Sequence, residues 1–403
     1  MARYKGIEVN NSVRPLLPFM PQIEEYREML QSLQAVWDNL NLLGQLSGTT
    51  AEMGGTREAF SSLTGVLLNN LAERTLAKRV QDMAAKSQVV IDILVRNLFE
   101  RTADIGFLAT DDDIRRFAAH PDELPSLQQR FREYVRKYSV YDDVVLLKPS
   151  GQILARLDGE QTAHIGDSWV RESLSTSAPF VEFYGHSDLF PNRQHSLIFA
   201  YRVTSASGEI LGVLALCFRF ADEMERIFKG LSQDDNPCVL ALLDDCGKII
   251  ASSDPWQIPI GADLVVANGG LQQIRFAGRS YLAVAQETKG YQGYLGVGWR
   301  GLVLAPLDQA FADTADEQEN ANIHPALLAS AVAGGRVFPA SLQEIPLRAS
   351  AIQRDLSRSV WNGTVRQSSS EQTVNPAFSK ILLWEISRTG ACMREVFSRS
   401  IGN

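Results

Sequence analysis

A chain of 403 residues is longer than one hydrophobic core comfortably organises, so two or more domains are expected. With 45% hydrophobic and 21% charged residues the composition is that of an ordinary globular protein; the net charge of −8 and the lack of any Lys/Arg cluster interleaved with aromatics argue against nucleic acid as a partner. The longest apolar stretch, Ile210–Cys217, falls far short of the ~20 residues of a membrane helix. No secretory leader pattern opens the sequence, and the four cysteines (Cys217, Cys238, Cys246, Cys392) make neither CxxC nor a regular framework, so a cytoplasmic location is expected.

Residues 1–119 are expected to be helical. Tyr26, Leu30, Leu33, Trp37, Leu40 and Leu43 recur at spacings of three and four, then Ser47–Thr56 interrupts with helix breakers. A second run, Phe60, Leu63, Leu67, Leu71, Leu76, Val80, Met83, Val90, Leu94 and Leu98, continues without proline towards Phe117. Long packed helices or an oligomeric coiled coil fit this text, and a homodimer formed through the helices is the expected assembly. "DDD" at Asp111–Asp113 suits a helix N-cap or a solvated run better than a metal triad.

Beyond a helix at Leu124–Ser139 the text becomes β-rich. "DVVLLKPSGQILARL" (Asp143–Leu157) is strand, turn, strand, and "SLIFAYRVTSASGEILGVLALCFRF" (Ser196–Phe220) is a long hairpin. "CVLALLDDCGKIIASSD" (Cys238–Asp254) repeats the first pattern and Ile274–Leu307 the second, so strand–turn–strand, helical spacer, long hairpin occurs twice. Domains are therefore expected at 1–119, 120–230, 231–311 and 312–403. In the last, "KILLWEISR" and "REVFSRSI" echo "NLLGQLSG" and "REAFSSL", and the helical text ends without a cap, which predicts that an output domain follows.

"GVGWRG" (Gly296–Gly301) matches G-x-G-x-x-G, the spacing of a dinucleotide-binding turn. Such a turn follows a buried apolar strand and opens a helix. Here "QETKGYQGYL" precedes and "LVLAPL" follows, so the phrase reads instead as a glycine and aromatic strand at a sheet edge or bend, with Tyr291, Tyr294 and Trp299 filling space left by the glycines. Other chemistry is sparse. Five scattered histidines show no HxxxH or His/Cys pairing, and "GHSDL" (Gly185–Leu189) lacks the second glycine of a nucleophile elbow. No cofactor or metal is expected, and no enzyme.

The ordered set "VVLLKPSGQILAR", "GEILGVLALCFRF", "VLALLDDCGKIIASSD" and "GYQGYLGVGWRGLVLAPL" resembles double Cache sensor domains, over about Val90–Phe311. The resemblance implies an α+β fold: long N-terminal helices, two tandem PAS-like (Cache) modules and a C-terminal helical segment. The last phrase also resembles soluble members associated with chemotaxis and CheW-type coupling, which implies a chemotaxis signalling partner. The family usually binds a small molecule in its first module, and amino-acid-binding members use a pattern like R-x-W-Y followed by Tyr, Asp and a last-strand Asp. Here Asp167 stands for the arginine, Trp169 is kept, Val170 replaces the tyrosine, Tyr184 falls near the later tyrosine, and Cys217 replaces the last aspartate. An α-amino acid needs a cation for its carboxylate, so these departures argue against a standard amino-acid ligand.

A small-molecule pocket is instead expected from Trp169, Arg171, Tyr184, His186, Asp188 and Arg193 on the covering segment, with Tyr201 or Arg202, but not both, from the strand beneath. Solvated loop charges and a core tryptophan are the plain alternative for these residues. The implied function is a cytoplasmic, non-enzymatic sensing module. The competing reading is a helical interaction scaffold carrying a ligand-free Cache pair, with Leu30, Leu33, Leu40, Leu67 and Leu71 in its contacts.

Overall fold

The structure is a computed structural model and describes residues 2–5, 7–46, 53–121, 124–157, 164–232 and 237–312. The C-terminal echo and the predicted helices beyond residue 312 lie outside the described residues, as does Cys392. Contacts divide the chain into two units: Met1–Gln81 with Gly278–Ser280 and Pro306 onward, and Asp82–Ala277 with Tyr281–Ala305.

The first unit opens with a short antiparallel hairpin, β1 (Ala2–Tyr4) and β2 (Ile7–Val9), too brief to show any periodicity in the sequence. A 3-10 turn (Leu17–Phe19) leads into α1 (Pro21–Leu46), where proline at the first helical position has no N–H to leave unpaired. Val9, Val13, Leu16, Met20, Ile23, Leu30, Leu63, Leu67 and Leu68 are buried. Asn10 and Asn69 lock the hairpin to the next helix, the Asn10 amide N–H donating to Asn69 Oδ1 (2.9 Å) and Asn69 Nδ2 to the Glu8 carbonyl (2.9 Å).

That helix, α2 (Met53–Ala109), begins within the breaker segment, taking in Gly54 and Gly55, so the predicted interruption is shorter than its composition suggests. It stops at Thr110. Asp111 then caps α3 (Asp112–Ala119), its Oδ1 accepting from the N–H of Asp113 (3.0 Å) and Ile114 (3.4 Å), which is the N-cap role the triple aspartate predicts. The part of α2 in the second unit buries Val90, Ile91, Leu94, Leu98 and Ile105, each worth roughly 1.5–3 kcal/mol when fully withdrawn from water. Among the described residues no helix is long and apolar enough to cross a membrane.

After α4 (Leu124–Lys137) the second unit holds two five-stranded antiparallel sheets of one design. The first comprises β3 (Tyr141–Leu147), β4 (Ile153–Arg156), β5 (Val181–Gly185), β6 (Ser196–Thr204) and β7 (Ile210–Phe218), in the order β4-β3-β7-β6-β5, with α5 (Ser168–Ser175) between β4 and β5. After α6 (Phe220–Leu231) the second comprises β8 (Val239–Leu243), β9 (Ile249–Ser252), β10 (Gln272–Phe276), β11 (Arg279–Glu287) and β12 (Arg300–Pro306), ordered β9-β8-β12-β11-β10. Numbered within each sheet, both run 2-1-5-4-3.

The two copies agree in detail. Val145 pairs Arg156 and Leu147 pairs Ile153 across one register shift, as Ala241 pairs Ser252 and Leu243 pairs Ile249 across another. Gly151 (φ +90°) and Gly247 (φ +87°) occupy the same turn position, and a Cβ on either would stand 2.4 Å from the Ile165 carbonyl oxygen or 2.9 Å from that of Leu264. The predicted helical spacer of the second copy is absent among the described residues: Ser253–Leu271 is irregular, with Pro255, Pro259, Gly261, Gly269 and Gly270 denying it a helix.

"GYQGYLGVGWRG" is also not the strand predicted. It is mostly a loop, and the strand begins only at Arg300. Gly290, Gly293, Gly296 and Gly298 all have positive φ, which explains the glycines without a phosphate. Gly301 serves close approach instead: an added Cβ would lie 2.1 Å from the Ser87 carbonyl oxygen on α2, and the Ser87 hydroxyl donates to the Gly301 carbonyl at 2.7 Å. A strand, not a helix, follows the glycines, so the nucleotide-binding context fails.

Candidate functional site

In the first module one sheet face is covered by α5 and the loop after β5. Val145 and Leu147 of β3, Val181 of β5, Ile198 and Ala200 of β6, and Val213, Ala215 and Cys217 of β7 pack there with Trp169, Val170 and Leu189. Strand alternation puts Asp143 and Arg202 on this face as well.

Asp143 is 4% exposed. Its Oδ2 accepts from Arg156 Nε (3.0 Å) and Nη2 (2.5 Å), and its Oδ1 from the backbone N–H of Val144 (2.9 Å) and Leu157 (3.0 Å). Burial raises the Asp143 carboxyl, opposed by Arg156 and by the two backbone donors. Cys217 is its cross-strand partner, a fully buried thiol that desolvation, reinforced by Asp143, holds well above its ordinary pKa. The pair continues towards solvent. Arg156 and Arg193 lie over the Phe190 ring, 6.0 and 4.4 Å from its centroid, Arg193 pairs with Asp142, and Arg219 Nε is 3.1 Å from Asp142 Oδ1.

The cover is pinned by Asp167. Its Oδ2 accepts from Trp169 Nε1 (2.8 Å), the Ser187 hydroxyl (2.5 Å) and the Asp188 N–H (3.2 Å), while Asp188 Oδ2 accepts from the Gly166 N–H (3.2 Å). A carboxylate thus ties the cover shut from within.

The predicted pocket residues separate. Trp169 is 0% exposed with its N–H satisfied, so it is a core residue and offers no ring face to a ligand. Asp188 and Arg193 join the networks above. Arg202 shares the covered face, and Tyr201 points the other way, towards Gly106 of α2, an alternation the sequence states correctly. Tyr184 also lies on the opposite face, because Val181 and Phe183 take the covered side of β5; its ring meets His195, Phe220 and Trp299 at centroid distances of 5.2, 5.5 and 4.9 Å. Burial pushes its hydroxyl up to about 12. Arg171 is exposed on α5, and His186 is exposed with Nδ1 3.1 Å from the Arg193 carbonyl.

Asp143, Arg156 and Phe190 were not anticipated, yet a signal was present. When the two repeats are aligned through their turns, Asp143 falls opposite Val239 and Arg156 opposite Ser252; register then sets Cys217, the partner of Asp143, opposite Leu304, the partner of Val239. The second module's covered core holds Val239, Ala241, Leu243, Ile249, Leu302 and Leu304, and alternation along β12 puts Arg300 on the same face, its Nη1 donating to the Val266 carbonyl (2.7 Å). Two copies of one 2-1-5-4-3 sheet thus follow a single long helix.

This is the arrangement of a long helix and two tandem modules that the sequence resemblance implies. No protein-family model and no curated protein matches the chain. Solved structures similar to it include the extracellular domain of a histidine kinase (14% identity over 59% of this chain and 99% of that one, TM-score 0.46). A Campylobacter jejuni chemoreceptor ligand-binding domain in complex with 4-methylisoleucine is 14% identical over 60% of this chain and 95% of that one, with a TM-score of 0.45. The Pseudomonas aeruginosa amino-acid chemoreceptor PctB in complex with L-Arg is 17% identical over 60% and 100%, with a TM-score of 0.44.

Elsewhere among the described residues, the ligand atoms of Asp244, Asp245 and Cys246 in the β8–β9 turn lie within 4.8 Å of one another. That turn is solvated, and a metal there would have to be held by surface groups alone. A groove of about 270 Å³ between α3 and α4 includes Arg116 and Arg130, ion-paired to Asp113 (3.0 Å) and Asp111 (2.5 Å).

Proposed function

We propose that the chain is a non-enzymatic sensing module of a signalling protein, binding a small polar molecule at the Asp143–Arg156 edge of the covered face in its first Cache module. One observation carries this reading: where the second module has Val239, Ser252 and Leu304, the first has Asp143, Arg156 and Cys217, a buried carboxylate with its own guanidinium partner. By contrast, Arg300, which register sets opposite Val213 on the second module's covered face, is held by the Val266 carbonyl. A buried ion pair is often no more stable than well-packed apolar residues of similar volume, so stability alone gives no reason to keep it in one copy. Partner-bearing polar groups beside an apolar cover are what recognition of a small polar molecule needs. Arg193 and Arg219, half exposed at the same edge, are the groups a ligand would meet first.

Signalling in the cytoplasm is the setting we favour, supported by cysteines without a framework. A chemotaxis coupling protein is the partner class suggested by the sequence resemblance.

The experiment is a thermal-shift screen of the whole chain against small metabolites, repeated on the triple variant D143V/R156S/C217L, which gives the first module the second module's residues. Ligand at one hundred times its Kd stabilises by about 2.7 kcal/mol. A compound that shifts the wild type and not the variant supports the reading. No hit among several hundred compounds, or an equal shift in the variant, sinks it.

A second assembly-level reading has its own observation. Val89, Ile93 and Phe107 are exposed along α2 at helical spacing, which favours self-association through that helix into a homodimer.

A further inference from the structure

We propose that the glycine loop Thr288–Trp299 is the coupling element of the protein, carrying displacements of β5 in the first module to helix α2. β5 is the edge strand of its sheet and has two working faces. Val181 and Phe183 pack into the covered core, while Glu182 and Tyr184 leave by the other face and meet the loop. The Tyr294 hydroxyl donates to Glu182, and Trp299 stands edge-on to Tyr184 at 4.9 Å and 78°.

The same loop grips the helix. Thr288 Oγ1 donates to Asp92 Oδ1 (3.0 Å), as does the Lys289 N–H (3.2 Å). Phe99 meets the rings of Tyr291 and Tyr294 at 5.3 and 6.0 Å, and a Cβ on Gly296 would lie 3.2 Å from Val95. Tyr294 therefore touches both sides, its hydroxyl on the first module and its ring on α2.

Its backbone makes the loop a stiff part, not a slack one. Tyr291 and Tyr294 exchange both N–H···O bonds (2.8 and 2.9 Å) around Gln292 (φ +49°) and Gly293 (φ +84°), the double positive φ of a type I′ turn. That turn presents two tyrosines as a unit, so a shift of β5 reaches Phe99 without being absorbed between them. The G-x-G-x-x-G spacing is accounted for by the same job: Gly296 admits Val95, Gly298 (φ +81°) turns the chain, and Gly301 seats β12 on Ser87.

The test uses the full chain and no ligand, so its outcome is independent of whether the sensing reading holds. Val181→Ala loosens the covered core at β5, and hydrogen exchange is read at residues 88–99 of α2, with β3 amides reporting that the core has loosened. With the loop intact, V181A speeds exchange in that stretch of α2 by roughly fivefold, the size of coupling within one contact network. On a Tyr294→Phe background, which deletes only the hydroxyl, the effect of V181A on α2 falls towards unity. If Y294F does not fold, Glu182→Met breaks the same link from the other side and must give the same result. V181A leaving α2 exchange unchanged, or acting equally with and without the link, overturns the proposal.

Discussion

Tyr294, on the loop of the second module, donates a hydrogen bond to Glu182 on β5 of the first. Among the described residues no lysine, arginine or histidine pairs with that carboxylate, and burial raises it above its ordinary value of 4.5, with the Tyr294 hydroxyl opposing. Tyr294 itself is pushed up, first by burial and then by Glu182. Because the folded pKa lies above the unfolded one, the folded state binds the extra proton. Its contribution is full below about pH 4.5 and is lost as pH rises through the folded value. Urea midpoints of wild type and Glu182→Gln, followed from pH 4 to 8, should diverge with rising pH as wild type alone loses that contribution. Parallel curves would mean that Glu182 titrates as an ordinary surface acid.

Burial makes a contrast between two cysteines. Cys217 is enclosed and its thiol is held in the neutral form, whereas Cys246 is exposed on the β8–β9 turn. In native protein an alkylating reagent should modify Cys246 and spare Cys217, which becomes reactive only in denaturant. Peptide mapping reads this directly. Rapid native labelling of Cys217 would show instead that the covered face opens readily beside Asp143.

Much of the architecture is legible in the sequence because the sheets repeat. "LLKPSGQI" and "LLDDCGKI" announce the same turn, and the alternation along Ser196–Thr204 sorts Arg202 from Tyr201 correctly. The site is less legible because face assignment is a matter of parity between strands, which no single strand reveals. Tyr184 has the right type and place for a pocket residue, yet β5 pairs with β6 so that Phe183, not Tyr184, opposes Ile198 on the covered side. Trp169 matches the tryptophan of the sequence resemblance but lies wholly in the core. Asp143 does not stand out within "DVVLL", which reads as an ordinary strand start; only comparison with Val239 in the second copy marks it. The glycine phrase misleads for a different reason. Its glycines answer to local φ and to helix contacts some 200 positions upstream in sequence, Val95 and Ser87, which spacing rules do not see.

Two of those glycines should respond differently to alanine. Gly301 has an unremarkable φ, but its added Cβ meets the Ser87 carbonyl at 2.1 Å, so the strand must leave the helix and the 2.7 Å bond from the Ser87 hydroxyl stretches with it. Gly298 has open space around its added Cβ and only its φ of +81° to resist. Gly301→Ala should therefore cost about 3 kcal/mol, the upper range for overpacking, and Gly298→Ala about 1 kcal/mol. Denaturant titration of both variants checks the order. Equal losses would place the cost of both in backbone conformation and remove the case for a tight β12–α2 contact.

The exposed apolar residues of α2 separate self-association from a lone sensor. Phe107 is 72% exposed, and it lies fourteen residues, two heptads, from Ile93, so the two share a helix face with Val89 four residues earlier, interrupted midway by the half-exposed Glu100. A ring left that open in water is usually covered by something, and a second copy of the same stripe would bury it symmetrically. Phe107→Glu places a charge at one end of such a contact, on a side chain that is mostly exposed in its own chain. Sedimentation velocity on the full chain should show a dimer for wild type and a monomer for F107E, with unchanged circular dichroism. A wild type that sediments as a monomer at tens of micromolar, or an F107E variant that remains dimeric, removes α2 from the assembly and leaves its apolar stripe to a different partner.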